Sequence, residues 1–295
     1  MLEHLAVNTI IPARVVIMGA GGFVGSSIKD HIEKDGMHVL GLTEQSLDLL
    51  DKSASQSLAD LLRPNDTLVI VSAIAPCKNN TMLLKNIIMM EAVCAAIEKE
   101  PPSHVIYFSS DAVYADDTKP LTESSCAEPS SLHGAMHLTR EIMLKGICTV
   151  PLAILRPTLI YGAADTHNGY GPNQFRSLAA EGKEIVLFGE GEEQRDHVYI
   201  NDIAEIVRLV ILHKSKGILN IATGNAISFK EIAEVVASHF SPPPAIKTTP
   251  RKGPMPHKGY RPFDVAATHE AFPDFRYTVL RDGLLKVSMS EGCHL

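Results

Sequence analysis

The chain has no tryptophan, no CxxC pair and no long basic run, and its formal net charge is −7. The missing basic run excludes an electrostatic grip on nucleic acid or on an anionic membrane surface, so anionic ligands must be held by local sites. The first nineteen residues place an acidic group early, and Pro12 and Arg14 interrupt their apolar positions, so the segment fits neither a signal peptide nor a membrane span. A cytoplasmic protein is the expectation. The five cysteines, Cys77, Cys94, Cys126, Cys148 and Cys293, are expected to be free thiols, mostly buried, because a 295-residue chain with 45% hydrophobic residues needs no disulfide staples. No repeat of solenoid period occurs. The proline-rich stretches, 241–244 and 250–262, are short and read as loops.

What is present is an alternation. Val15 to Met18 is a β-branched apolar run ending in glycines, and Ser26 to Lys34 reads as a helix closing at Gly36. Strands follow at 38–42 and 67–73, with a helix at 53–62 between them. A long, largely apolar helix at 81–98, a strand at 104–109, a helix at 133–145 and a strand at 152–156 continue the rhythm. Such alternation predicts an α/β fold with a doubly wound, Rossmann-type parallel sheet. After Tyr161 turns become denser, which predicts a smaller mixed lobe with helices near 173–181 and 229–239 and a strand at 185–188. The stretch 197–222 again reads strand, helix, strand and is expected to return to the main sheet. The expected division is interleaved: 1–160 with about 191–226 for a dinucleotide, and about 161–190 with 227–295 for a substrate.

Gly19-Ala-Gly-Gly22-Phe-Val-Gly25 follows a predicted strand and opens a predicted helix. Glycines there permit a tight turn and close approach of backbone to a pyrophosphate, and the helix N-terminus offers free N–H groups. At the end of the second strand Glu44 is the candidate partner for ribose hydroxyls. No Arg or Lys lies nearby to meet a 2′-phosphate, so NAD is favoured over NADP.

With these glycines, Tyr107-Phe-Ser-Ser-Asp-Ala-Val-Tyr114, Leu155-Arg-Pro-Thr-Leu-Ile-Tyr-Gly162 and Arg195-Asp-His-Val198, the chain resembles the extended short-chain dehydrogenase/reductase family, in its NAD-dependent epimerase/dehydratase branch. The likeness runs from about Val15 to Leu285. It implies a nucleotide-sugar substrate in a cleft between the lobes. It also implies a cofactor set against Gly19, Gly22, Phe23, Val24, Gly25, Glu44, Ala73, Ser109 and His137, and substrate contacts at Tyr161, Asn173, Arg195 and Arg261. A homodimer built on the helices 81–98 and 133–145 is implied as well.

The family's catalytic Ser falls on Ser110, but its Tyr-x-x-x-Lys is replaced by His133 and His137. Two imidazoles four residues apart share one helix face. Three readings stand open. His133 can serve as the acid/base, since imidazole titrates near neutrality without a tuning Lys. The pair can hold a metal in lyase or hydrolase chemistry, although no Glu or Asp lies between them. Or redox turnover is lost and the protein binds NAD in a regulatory role. Asp111 is retained where family dehydratases carry an acid, while Ala112 stands where they carry a Glu, which disfavours water elimination and leaves epimerisation or reduction.

Overall fold

The structure is a computed structural model that describes residues 1–165 and 168–290, with the side chains of 289 and 290 excepted. In the first half run β1 (Leu2–Glu3), β2 (Arg14–Met18), α1 (Phe23–Lys34), β3 (Val39–Leu42), α2 (Ala54–Leu61) and β4 (Asp66–Ile70). They continue with α3 (Asn80–Lys99), β5 (His104–Phe108), α4 (Leu132–Ile147) and β6 (Leu152–Pro157). The second half holds β7 (Leu159–Tyr161), α5 (Pro172–Ala180), β8 (Ile185–Phe188), β9 (Gln194–Tyr199), α6 (Ile200–Leu212) and β10 (Lys216–Ile221). It ends with β11 (Ala226–Ser228), α7 (Phe229–Ala237), β12 (Ile246–Thr249), β13 (Tyr260–Arg261), α8 (Ala266–Ala271) and α9 (Leu280–Ser290).

Seven strands form the main sheet in the order β1-β10-β6-β5-β4-β2-β3, parallel throughout except for the short edge strand β1. Strands β2, β4 and β5 are buried at every position, which is why, after the polar openings Arg14, Asp66-Thr67 and His104, they run on as consecutive apolar residues and do not alternate. Helices α1 and α6 cover one face through Ile28, Ile32, Ile203, Val207 and Val210. Helices α2, α3 and α4 cover the other through Leu58, Met90, Val93 and Leu144. The order reverses between β2 and β4, and their carboxyl ends open a crevice at that switch point.

One expectation needs correction. Only α6 and β10 of the 197–222 stretch return to the main sheet; β9 lies in a second sheet with β7, β11 and β13. The cause is the break at Pro157–Thr158. There β6 gives way to β7, which β9 follows in parallel, while the Thr158 N–H stays bonded to Ile221 O at 3.0 Å. A separate core beyond the cleft gathers Tyr161, Phe175, Leu187, Phe229, Ile232 and Leu284. Cys77 and Cys94 are buried free thiols, Cys148 is half-buried and Cys126 exposed; Cys293 lies outside the described residues.

Candidate active site

A cleft of about 960 Å³ lies across the carboxyl ends of β2, β4, β5 and β6, at the upper end of the usual range for a ligand site. Gly19, Gly22, Phe23, Val24, Gly25, Glu44, Ala73 and Ser109 all line it, together with Asp48, which sequence reasoning did not single out. Gly19 has φ +87°, and a Cβ there would sit 2.8 Å from the backbone nitrogen of Ser72. A Cβ at Gly25 would overlap the Gly19 carbonyl oxygen. Gly22 caps α1 without any side-chain bond, and no acidic residue occupies the first turn, so the helix N-terminus is uncompensated and faces the cleft. These bare backbone groups fit the diphosphate of a dinucleotide.

Opposite stands α4. Ser131 caps it by accepting the Gly134 N–H at 3.1 Å. A Cβ on Gly134 would overlap the Ala112 carbonyl, so this glycine lets the helix start press against the turn 110–112. That contact brings His133 and His137 into the cleft lining with Ser110 and Asp111. The two imidazoles meet edge to face, ring centres 4.7 Å apart.

The backbone N–H of Cys77 points at Nδ1 of His133 from 3.4 Å. Burial lowers the His133 pKa from its ordinary value, opposed by the charge of Asp111. His137 is held well below its ordinary value by burial, then by His133 and Arg140. Its Nδ1 lies 2.8 Å from the Tyr107 hydroxyl. Both rings are therefore neutral at neutral pH. Among the described residues no group of three His, Cys, Asp or Glu side chains could hold a metal ion, so a metal reading lacks a third ligand.

Ser109 donates to Glu141 Oε1 at 2.6 Å, joining a buried network in which Arg156 grips Glu141 at 2.8 and 2.6 Å. Ser110 caps the following turn, accepting from Ala112 N at 3.1 Å, and its hydroxyl faces Asp111 Oδ1 at 3.4 Å. Asp111 is held by Arg261 Nε at 3.0 Å and approached by Arg195 at 3.8 Å.

Two expected substrate contacts take other places. Arg261 is buried and does not line the cleft. Its donors go to Asp111, to Asp116 at 2.6 Å and to the carbonyls of Asp111 and Tyr114, so none faces a ligand. Tyr161 is also buried away from the cleft, packed on Tyr199 with its hydroxyl against Gly283. Arg195 and Asn173 do line it, although the Asn173 amide is bonded to Gly162 N, Asp165 and Ile160 O.

His197, of the Arg195-Asp-His-Val198 motif, lines the cleft as well. Burial pushes its pKa down to about 3, and its Nε2 has no partner. Nothing in its spacing marks it, because β9 pairs outside the main sheet.

A sequence model of the NAD dependent epimerase/dehydratase family matches residues 15–222. The chain is 30% identical over 152 residues to the dTDP-L-rhamnose 4-epimerase of Burkholderia thailandensis, covering 48% of this chain and 40% of that protein. It is 26% identical over 222 residues to the N-acetyl-alpha-D-glucosaminyl-diphospho-ditrans,octacis-undecaprenol 4-epimerase of Escherichia coli O157:H7, covering 69% and 64%. The matches thus span less than two thirds of these relatives' own length. The fold is similar to that of MoeE5 in complex with UDP-glucose and NAD, with TM-score 0.80, 19% identity and coverage of 94% and 99%.

Proposed function

The chain belongs to the NAD dependent epimerase/dehydratase family, and from that premise we propose that it is an NAD-dependent epimerase or reductase of a nucleotide-activated sugar with His133 in place of the family's Tyr. The observation that carries the reading is the meeting of the glycine turn, Ser110, Asp111 and His133 around one cleft. When bound, NAD supplies the oxidising and reducing equivalents for a carbinol carbon. The residues that would hold it are Gly19, Gly22, Phe23, Val24, Gly25, Glu44 and Ala73, with Ser109 and His137 deeper in. Glu44 and Asp48 favour ribose hydroxyls over a 2′-phosphate, since Arg195, on the substrate side, is the sole Arg or Lys in the described lining.

His133, neutral near pH 7, exchanges the sugar hydroxyl proton, and Ser110 and Asp111 orient that hydroxyl. Arg195 meets the substrate diphosphate with donors that Asp111 and Glu193, at 3.8 and 3.6 Å, hold only loosely. Residues 1–160 with α6 and β10 serve the cofactor, while β9, which carries Arg195, joins the remainder in serving the sugar. A homodimer would cover α3 and α4, whose Leu84, Ile88 and Ile142 are 62%, 43% and 60% exposed; α3 is long and apolar enough to cross a membrane, and that apolarity is divided between its sheet-facing Met90 and Val93 and this exposed face.

The test is a panel of nucleotide sugars with NAD, following product and nicotinamide absorbance. His133→Ala is expected to lower turnover by roughly 10²- to 10⁴-fold. No turnover across the panel, or full turnover in the variant, would overturn the reading.

One observation favours a second reading, a protein that binds NAD and a sugar ligand without turnover. The Cys77 N–H aimed at His133 Nδ1 leaves the neutral ring's proton on Nε2, where it donates and cannot accept. Tight binding of both ligands with no product would favour it.

A further inference from the structure

Arg140 is fully buried, yet among the described residues it forms no ion pair. Its Nη2 donates to the Ser72 carbonyl at 2.8 Å, Nη1 contacts Met136 sulfur at 3.8 Å, and Nε has no partner. The guanidinium stands 5.3 Å from the centre of the Tyr107 ring. An isolated buried cation is costly, and this one lies behind the strand end that closes over Gly19.

Tyr107 is equally buried, and among the described residues the one hydrogen bond of its hydroxyl is to His137 Nδ1 at 2.8 Å. Two arrangements satisfy that distance. Were His137 to donate from Nδ1, the phenol proton would be left without an acceptor in a dry interior, at a cost comparable to a lost hydrogen bond. With the phenol donating, both the hydroxyl and the Nδ1 of His137 are satisfied. Burial also pushes the Tyr107 pKa up to about 12, so the phenol keeps its proton to give.

We propose that Tyr107 and Arg140 are positioning residues that fix His137 as a neutral imidazole with its proton on Nε2, presenting that N–H to the dinucleotide. Tyr107 sets the tautomer through Nδ1. Arg140, clamped on Ser72, suppresses a second positive charge on the ring and supplies the fixed cation beside the cofactor cleft that a Lys at position 137 would have brought. His137 then acts as a hydrogen-bond donor in the cofactor seat and transfers no proton. The inference rests on NAD occupying this cleft and is independent of whether His133 turns a sugar over.

Nitrogen-15 NMR of the histidine rings in the full chain tests it directly. In the wild type, His137 Nδ1 should resonate as the unprotonated nitrogen and Nε2 as the protonated one. Tyr107→Phe should populate the opposite tautomer and weaken NAD binding about fivefold by calorimetry, the equivalent of about 1 kcal/mol. Arg140→Met should leave the tautomer as it is and raise the pH at which the His137 ring titrates. The groups facing that ring are the Arg140 cation and the titratable His133 and Tyr107, so His133 is followed in the same spectra. A wild-type ring protonated on Nδ1, or a folded Tyr107→Phe protein with unchanged tautomer and NAD affinity, would overturn the proposal. If a variant does not fold, the wild-type spectrum alone decides. Expected spectra without sugar turnover would sink the enzymatic reading and leave this one standing; turnover with an Nδ1-protonated ring would do the reverse.

Discussion

The two ends of the cleft, one proposed for the cofactor and the other for the substrate, are built from different materials. At the cofactor end the ligand faces bare backbone, with Gly19 in a left-handed conformation, Gly25 against the Gly19 carbonyl and an uncompensated helix start. At the substrate end it faces side chains held by other side chains: Asp111 by Arg261, Arg261 by Asp116, and Arg195 between Asp111 and Glu193. A backbone site tolerates few residue types, because sterics dictate glycine. A side-chain network depends on partners distant in sequence, such as Asp111 and Arg261, 150 positions apart. The difference separates what shape fixes from what charge fixes.

Acid should break both ends, with the largest effect. His104, in the main sheet, has its pKa lowered to about 4 by burial, and His197, beside the substrate end, to about 3. Unfolded, each titrates near 6.5, so below that pH the unfolded chain binds more protons and is favoured. The stability from keeping these rings neutral is complete above about pH 6.5 and is lost as pH falls toward 4 and 3. For His104 alone the loss at pH 4 is about 3 kcal/mol. Urea melts between pH 7 and pH 4 measure it. A level stability over that range would show that these rings protonate without unfolding.

Next in size is a break confined to the substrate end. Arg261→Met removes the near partner of Asp111 and leaves that buried carboxylate with only Arg195, at 3.8 Å, beside it, at about 3 kcal/mol or somewhat less. Thermal unfolding should report a loss of several degrees, while NAD affinity by calorimetry stays within about twofold. A parallel loss of NAD affinity would show that the two ends are coupled.

The same contrast governs what could be read in the sequence. The strand runs and the glycine turn were legible because buried parallel strands are unbroken apolar segments and because the spacing of Gly19, Gly22 and Gly25 answers a local steric demand. Helix α1 nevertheless begins at Phe23, three residues before the predicted start, since Gly22 caps it with no side-chain signal. His133 and His137 were found by position, but their states were not: Cys77, Tyr107 and Arg140 act on them from other elements or from buried faces. Gly134 carries a signal, a glycine just inside a helix, whose meaning emerges only when Ala112 lies against it. Arg261 and Tyr161 were misplaced because a motif position specifies a residue type and not the partners that consume it.

At the cofactor end shape should be the lever. Gly25→Val would force a branched side chain into the Gly19 carbonyl and displace α1 from the turn. NAD affinity should fall about 100-fold, the equivalent of about 2.7 kcal/mol, with the main sheet still folded by circular dichroism. Retention of affinity within tenfold would mean that the diphosphate does not sit on this turn.

The smallest effect belongs to the exposed rim, where carboxylate charge enters the cofactor end. Glu44 is exposed at the rim beyond β3, so solvent screens it and its influence on a 2′-phosphate is weak. Glu44→Gln should shift the ratio of NAD to NADP affinity by roughly threefold toward NADP. Asp48 lines the same rim and keeps part of the repulsion, with its Oδ1 fixed by the Leu50 N–H at 2.8 Å. The double variant Glu44→Gln with Asp48→Asn should therefore shift the ratio further than either change alone. An unchanged ratio in the double variant would mean that discrimination, too, is made by the shape of the backbone and not by carboxylate charge.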